Sequence, residues 1–120
     1  ARAACLQWMF HLANTLQPAF RLWFYPREGG GDEAAVKDAA RARIEAAWAR
    51  LDAHLAARGP HALGERCSVV DLYLTMLMRW SRNMPRPTDS RPVLHAHAQR
   101  MKALPSFREV YAREGLTDWT

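Results

Sequence analysis

The chain has 120 residues, of which 49% are hydrophobic and 24% are charged, and its formal net charge is +5. This length and composition predict a single globular domain that is large enough to bury a core, and they exclude a disordered chain. The positive charges form no compact run interleaved with aromatic residues, so we expect no nucleic-acid partner.

The two cysteines, Cys5 and Cys67, are far apart and form no Cys-x-x-Cys motif. This usage favours a reducing compartment, in which we expect each cysteine to be a small buried side chain rather than a metal ligand or nucleophile. The sequence shows neither a signal peptide nor a membrane span, so we expect a cytoplasmic protein with no membrane partner. The chain begins with Ala1 rather than Met, inside a helical pattern, which favours a fragment of a longer protein.

The first predicted helix runs from Ala1 to about Phe24. Pro18 lacks an N–H group and is expected to kink or break this helix, and Tyr25-Pro26 ends it. Two apolar stripes predict burial on two sides, one against the bundle and one against something else. The first stripe contains Leu6, Met9, Ala13, Leu16 and Phe20, and the second contains Cys5, Trp8 and Leu12.

The second predicted helix follows a loop over Arg27 to Gly31. Asp32 is its expected N-cap, and the helix runs to about Arg58, where Gly59-Pro60 ends it. The charged residues predict a solvated outer face. The apolar residues recur every three or four positions and predict the buried face, namely Val36, Ala40, Ile44, Ala47, Leu51 and Leu55.

The most apolar segment runs from Ser68 to Trp80. Ser68 and Asp71 have the spacing of a capping box, in which a hydroxyl and a carboxylate each accept a hydrogen bond from a backbone N–H of the helix start. The apolar residues that follow cover every face of the helix, which predicts that protein encloses it on all sides. The segment is shorter than the about 20 residues needed to span a bilayer. We therefore predict that it is the central helix of a bundle.

The remaining chain predicts two further helices. One starts near Arg91-Pro92 and buries Leu94, Ala98 and Met101. After Pro105, a short helix ends before Gly115 and places on one face Phe107, Val110 and Tyr111. No segment alternates with the period of two that is typical of a strand. The sequence therefore predicts an all-α fold, a bundle of about five helices.

Several of these segments resemble the C-terminal domain of glutathione S-transferases. The segment Cys67 to Leu74, Cys-Ser-Val-Val-Asp-Leu-Tyr-Leu, resembles the capping box and central helix of that domain. Leu77-Met78-Arg79-Trp80 is most similar to the bacterial beta class. Leu16-Gln17-Pro18-Ala19-Phe20 resembles the first helix of the domain, and Arg100 to Pro105 resembles its end. These segments follow the order of the family over nearly the whole chain.

The resemblance implies that residues 1–120 form one helical domain of a detoxifying transferase, which conjugates glutathione to small hydrophobic electrophiles. In the family, a thioredoxin-like domain precedes the helical one, binds glutathione and carries the thiol-activating residue. That domain is absent from this chain, so we expect no catalytic residue here and no activity from the fragment alone. The implied partners are the protein's own N-terminal domain, glutathione as co-substrate, the electrophile and a second copy in a homodimer.

The resemblance also implies a substrate-binding set. Phe10, Asn14 and Gln17 stand at i, i+4 and i+7 and align with family positions that face the substrate cleft; beta-class members often carry His where this chain has Gln17. Trp80 matches the family's tryptophan at the end of the central helix. The alternative for Phe10 and Trp80 is core packing, and the alternative for Asn14 and Gln17 is simple exposure to solvent.

Metal and serine-hydrolase chemistry are not predicted. His95 and His97 are two residues apart and do not share a helix face, and the other histidines have no metal-motif spacing. Ser68 and Asp71 are assigned to the cap rather than to a catalytic triad. Two alternatives to the transferase stay open: a non-catalytic protein-interaction module of the same fold, and a glutathione-dependent isomerase, reductase or dehalogenase of the same family.

Overall fold

Helices form nearly all the regular structure of the computed structural model, which describes residues 2–120. Ala1, with which the first predicted helix begins, lies outside the described residues. No β-strand occurs in residues 2–120, so the predicted all-α fold is confirmed. Across the same range, no helix is both long enough and apolar enough to cross a membrane. The helices are α1 (Arg2–His11), α2 (Gln17–Phe24), α3 (Glu33–Arg58), α4 (Val69–Trp80), α5 (Pro92–Lys102) and α6 (Pro105–Glu114).

A π turn over Leu12–Leu16 joins α1 to α2, so the chain continues as helix past Pro18. The N–H of Gln17 donates to the carbonyl of Leu12, five residues earlier, as a π turn requires. Proline inside a regular α-helix would clash with the carbonyl four residues before it. Here Pro18 instead lies in the first turn of α2. The irregularity predicted at Pro18 is therefore a π turn rather than a break.

The long helix α3 forms as predicted. Asp32 is its N-cap and accepts a hydrogen bond from the N–H of Ala34 at 3.1 Å, and the helix ends at Arg58. All of its predicted apolar stripe is buried except Val36, which is half-buried. Trp48, which the predicted stripe does not include, is also fully buried and packs against Phe20 of α2 with ring centroids 6.0 Å apart.

The capping box at the start of α4 is confirmed. The hydroxyl of Ser68 accepts a hydrogen bond from the N–H of Val70 at 3.3 Å, and the carboxylate of Asp71 accepts one from the N–H of Ser68 at 2.8 Å. This arrangement satisfies backbone donors that a helix start otherwise leaves unpaired. It fixes the start of a helix that contributes Val70, Leu74, Leu77 and Met78 to the core.

Asp71 also has contacts that its spacing to Ser68 does not reveal. The carboxylate is fully buried and accepts hydrogen bonds from the N–H of Ala62 at 2.9 Å and from Nε2 of His97 at 2.8 Å. Burial alone would raise the pKa of Asp71, but the hydrogen bonds from His97, Ala62 and Ser68 outweigh it and lower the pKa. The cap of α4 is thus bonded to the preceding loop and to α5.

The prediction that protein encloses α4 on all sides is wrong for this chain by itself. Val70, Leu74, Leu77 and Met78 are fully buried, as predicted. The opposite face is open, with exposed fractions of 52% for Val69, 49% for Leu72 and 40% for Met76. Helix α1, one of the helices that contact α4, likewise leaves Leu6 and Phe10 exposed. We call these five exposed residues the apolar face of α1 and α4.

Two smaller predictions also need correction. Cys67 is exposed and Cys5 is half-buried, because both lie at the edge of the core rather than in it. Burial of the thiol, followed by the charge of Asp71, raises the pKa of Cys67, which disfavours a reactive thiolate. On α6, Tyr111 is buried against Phe107, with ring centroids 4.8 Å apart, but Val110 points away and is exposed.

The end of the chain folds back onto α4. Leu94, Ala98 and Met101 of α5 are buried, as predicted. Beyond α6, Gly115 takes the left-handed conformation (φ 66°) that ends the helix. The carboxylate of Asp118 then accepts hydrogen bonds from Arg79 at 2.6 Å and from Arg82 at 2.5 Å. These contacts hold the C-terminal segment beside the end of α4.

Candidate functional site

An aromatic cleft of about 610 Å³ lies where α2 meets the end of α4. This volume falls within the range of small-molecule sites, about 300–1,000 Å³. The lining residues are Gln17, Arg21, Phe24, Tyr25, Trp80 and Arg82. Gln17 and Trp80, two of the four residues predicted to bind substrate, therefore line the same cleft.

The apolar wall of the cleft is built on the core. Trp80 is half-buried and its ring meets the edge of Phe20, with centroids 5.8 Å apart. Phe20 is fully buried and also stacks with Phe24, at 6.2 Å between ring centroids. Phe24 and Tyr25 are themselves exposed. Trp80 thus packs against the core on one side and lines the cleft on the other.

The polar side chains of the cleft form hydrogen bonds with neighbouring residues. Arg21 forms two hydrogen bonds with Glu28, each 2.7 Å long, and its guanidinium lies 4.1 Å from the centre of the Tyr25 ring. The hydroxyl of Tyr73 donates a hydrogen bond to Oε1 of Gln17. Burial raises the pKa of Tyr73, which favours the protonated, donating form. The side chain of Gln17 is thereby positioned at the edge of the cleft.

Phe10 and Asn14 do not line this cleft. Phe10 is 62% exposed on α1, and Asn14 is exposed within the π turn. An α-helix turns by about 100° per residue, so the extra residue of the π turn rotates α2 by about that angle relative to α1. The predicted common face of Phe10, Asn14 and Gln17 assumed an unbroken α-helix, and the structure does not bring the three side chains together.

Four residues of the cleft were missed by the sequence analysis. Arg21 and Phe24 follow Gln17 at i+4 and i+7 on the same helix, so extending the face forward from Gln17 would have found them. Tyr25 was interpreted only as the end of a helix. Arg82 lies beyond α4, and its place in the cleft depends on the fold of the C-terminal segment, which no local pattern indicates.

The histidines gather near the cap of α4 in a way that spacing does not predict. One ligand atom from each of His61, Cys67 and Asp71 lies within 4.8 Å of the other two. Both carboxylate oxygens of Asp71 already accept hydrogen bonds within the fold. Nδ1 of His61 lies 3.6 Å from Oδ1 of Asp71 and has no hydrogen-bond partner among the described residues. Asp71 also stands between Ser68 and His97, which is not the order of contacts in a catalytic triad.

Comparison with known proteins agrees with this architecture. The profile of the glutathione S-transferase C-terminal domain matches residues 34–113, which begin in α3 and end in α6. The match does not include the first helix, and a search of curated protein sequences found no significant match. Because the profile covers more than half of the chain and the fold is helical throughout, this chain belongs to the glutathione S-transferase C-terminal domain family.

Proposed function

We propose that this chain is the substrate-binding domain of a cytoplasmic, beta-class-like glutathione transferase, which conjugates glutathione to small hydrophobic electrophiles. The observation that carries the proposal is the aromatic cleft, which Trp80, Phe24 and Tyr25 line together with Gln17. The family to which the chain belongs supports the same conclusion. Glutathione is the co-substrate in this proposal, and its thiolate attacks the electrophile.

The electrophile that suits the cleft is uncharged and aromatic. Its ring can lie against Trp80 and Phe24, and burial of an aromatic group of this size contributes about 1.5–3 kcal/mol. The two guanidiniums at the cleft, those of Arg21 and Arg82, are paired with Glu28 and Asp118. The cleft therefore offers no unpaired cation to attract a charged substrate. Activation of the thiol lies outside this chain in the proposal, on the N-terminal thioredoxin-like domain.

The apolar face of α1 and α4 is the proposed contact for that domain. Leu6, Phe10, Val69, Leu72 and Met76 are each at least 40% exposed and lie on two helices that pack together. Large exposed apolar patches are typical of surfaces that another protein surface covers. We further propose that the full-length protein is a homodimer and that this chain contains only part of the dimer contact.

The uncovered apolar face leads to a prediction about the isolated chain. We expect it to self-associate and to bind the dye ANS, because water contacts these side chains until another surface covers them. Leu72→Glu combined with Met76→Glu should reduce both effects, as followed by light scattering and fluorescence. Val110→Glu is the matched control, since Val110 is exposed to a similar degree on α6. A monodisperse monomer at high concentration without ANS binding would contradict the prediction.

A direct test of the proposed function compares the chain with its longer parent. The isolated chain should not conjugate glutathione to an aryl halide, and the protein restored to its N-terminal domain should do so. As the control, the absorbance change that reports conversion of the aryl halide should disappear when glutathione is left out of the assay. If the restored protein binds glutathione but conjugates it to none of several electrophiles, the transferase proposal fails. The alternative function, a non-catalytic protein-interaction module of the same fold, is then favoured.

A further inference from the structure

A second groove lies between α1 and the C-terminal half of α3, and its side chains are basic. Its volume is about 470 Å³. A cavity of about 390 Å³ adjoins it and extends toward the loop at Ala62 and Leu63. The side chains that define this basic groove are Gln7, Trp8 and His11 from α1 and Arg50, His54 and Arg58 from α3.

The sequence explains why these groups meet. Arg50, His54 and Arg58 stand at i, i+4 and i+8, so they share one face of α3. Arg50 and Arg58 are eight positions apart, which corresponds to about 12 Å along the helix. Trp8 faces the middle of this row, and its ring centroid lies 4.5 Å from that of His54. Two cations thus flank a flat aromatic floor.

The basic groove contains no compensating acid. None of its lining residues is Asp or Glu, and within residues 2–120 neither Arg50 nor Arg58 has an ion-pair partner. By contrast, both arginines of the aromatic cleft are paired, Arg21 with Glu28 and Arg82 with Asp118. Both guanidiniums add positive charge to this face of α3, and an anion between them would be attracted to both.

The histidines of the groove add hydrogen-bonding capacity. His54 donates from Nε2 to the carbonyl of Ala62 at 2.6 Å, which fixes the orientation of its ring. Among the described residues, Nε2 of His11 is buried without a hydrogen-bond partner. Burial, and then the nearby charge of Arg50, lower the pKa of His11 and favour its neutral form.

We propose that the basic groove binds a small molecule that carries a phosphate or diphosphate group. The guanidiniums of Arg50 and Arg58 hold the phosphate oxygens, and the organic part lies against Trp8. Guanidinium forks match the oxygen geometry of phosphate and form charge-assisted hydrogen bonds. The size of the groove is that of a small-molecule site rather than of a nucleic-acid surface. This inference goes beyond the proposed conjugation, because the groove and the aromatic cleft share no lining residue.

The test is a binding measurement with pyrophosphate and with phenyl phosphate. The purified chain is titrated by calorimetry at constant ionic strength with chloride as the reference anion, and the indole N–H signal of Trp8 is followed by NMR. We expect saturable binding of both phosphates, a shift of the Trp8 signal and no binding of neutral phenol. Trp8→Phe assigns the signal.

Variants separate a specific site from general attraction by positive charge. Arg50→Gln and Arg58→Gln should each weaken phosphate binding about tenfold, the effect of losing one charge-assisted hydrogen bond. Arg50→Lys keeps the charge but loses the fork and should weaken binding less. Arg86→Gln is the matched control, since it removes one charge from an exposed loop outside the groove. Circular dichroism verifies that each variant is folded.

Three results would overturn the proposal. One is the absence of saturable phosphate binding at millimolar concentration. Another is an equal loss of binding in Arg86→Gln and Arg50→Gln, which would indicate general attraction by positive charge. The third is binding of anionic lipid vesicles or duplex RNA without binding of either phosphate. None of these measurements depends on transferase activity, so failure of this proposal can be distinguished from failure of the proposed function.

Discussion

Replacing Asp71 with alanine is expected to lower the free energy of unfolding by about 3–5 kcal/mol, the cost of removing one partner from a buried charged network. The carboxylate is fully buried and accepts hydrogen bonds from Ser68, Ala62 and His97. Its removal leaves these donors without acceptors, and each buried unpaired donor costs about 1–3 kcal/mol. The change also disconnects α4 from the preceding loop and from α5.

Ser68→Ala is the matched comparison, because it removes the other half of the same capping box. Its hydroxyl accepts a hydrogen bond from the N–H of Val70 and donates one to the carboxylate of Asp71, each 3.3 Å long, so we expect a loss of about 1 kcal/mol. Urea unfolding followed by circular dichroism gives both values. If the two variants have the same midpoint, the contacts to His97 and Ala62 contribute nothing and Asp71 acts as a helix cap alone.

The same network predicts a dependence of stability on pH. Because the hydrogen bonds lower the pKa of Asp71 in the folded state, the ionised carboxylate stabilises the fold. This contribution is fully present above the ordinary pKa of about 4 and is lost as the pH falls through the lower pKa of the folded state. The stability difference between wild type and Asp71→Asn should therefore narrow in acid. Urea midpoints of both proteins, measured from neutral to acidic pH, provide the check.

The fold could be predicted wherever its determinants are local. The Ser68–Asp71 cap, the Asp32 cap and the buried stripe of α3 each depend on residues within one or two turns, and the structure confirms them. The contact between Asp71 and His97 joins residues 26 positions apart, and no pattern within either helix indicates it. Pro18 indicated an irregular helix, but its form as a π turn depends on packing around Leu12 and Leu16, which are both fully buried.

The apolar sequence of α4 illustrates a different limit. Its pattern was interpreted as enclosure by a bundle, yet Val69, Leu72 and Met76 are exposed in this chain. A sequence records which side chains are apolar, but not which surface will cover them. The cleft was only partly predictable for a related reason: Gln17 and Trp80 were identified by resemblance, while Arg82 is brought there by the C-terminal segment.

In the proposed full-length transferase, Trp80→Ala is expected to lower kcat/KM for a large aromatic electrophile at least tenfold. Loss of the indole removes about 1–3 kcal/mol of apolar contact from the wall of the cleft. A small electrophile that does not reach Trp80 should be affected less. Gln17→Ala should lower kcat/KM moderately for all electrophiles, because its amide is positioned by Tyr73 at the edge of the cleft.

Stability and binding must be separated in this experiment, since Trp80 also packs against Phe20. Trp80→Phe keeps an aromatic ring in the core, so its stability should be closer to that of the wild type than the stability of Trp80→Ala is. Its kcat/KM for the larger substrate should remain lowered. Phe107→Ala is the control, an aromatic truncation on α6 that lies outside the cleft. Unchanged kinetics in both Trp80 variants and in Gln17→Ala would place the electrophile elsewhere. Phe10 and Asn14, the other two residues predicted from the family resemblance, would then be the next to test, because they are exposed and lie outside the cleft.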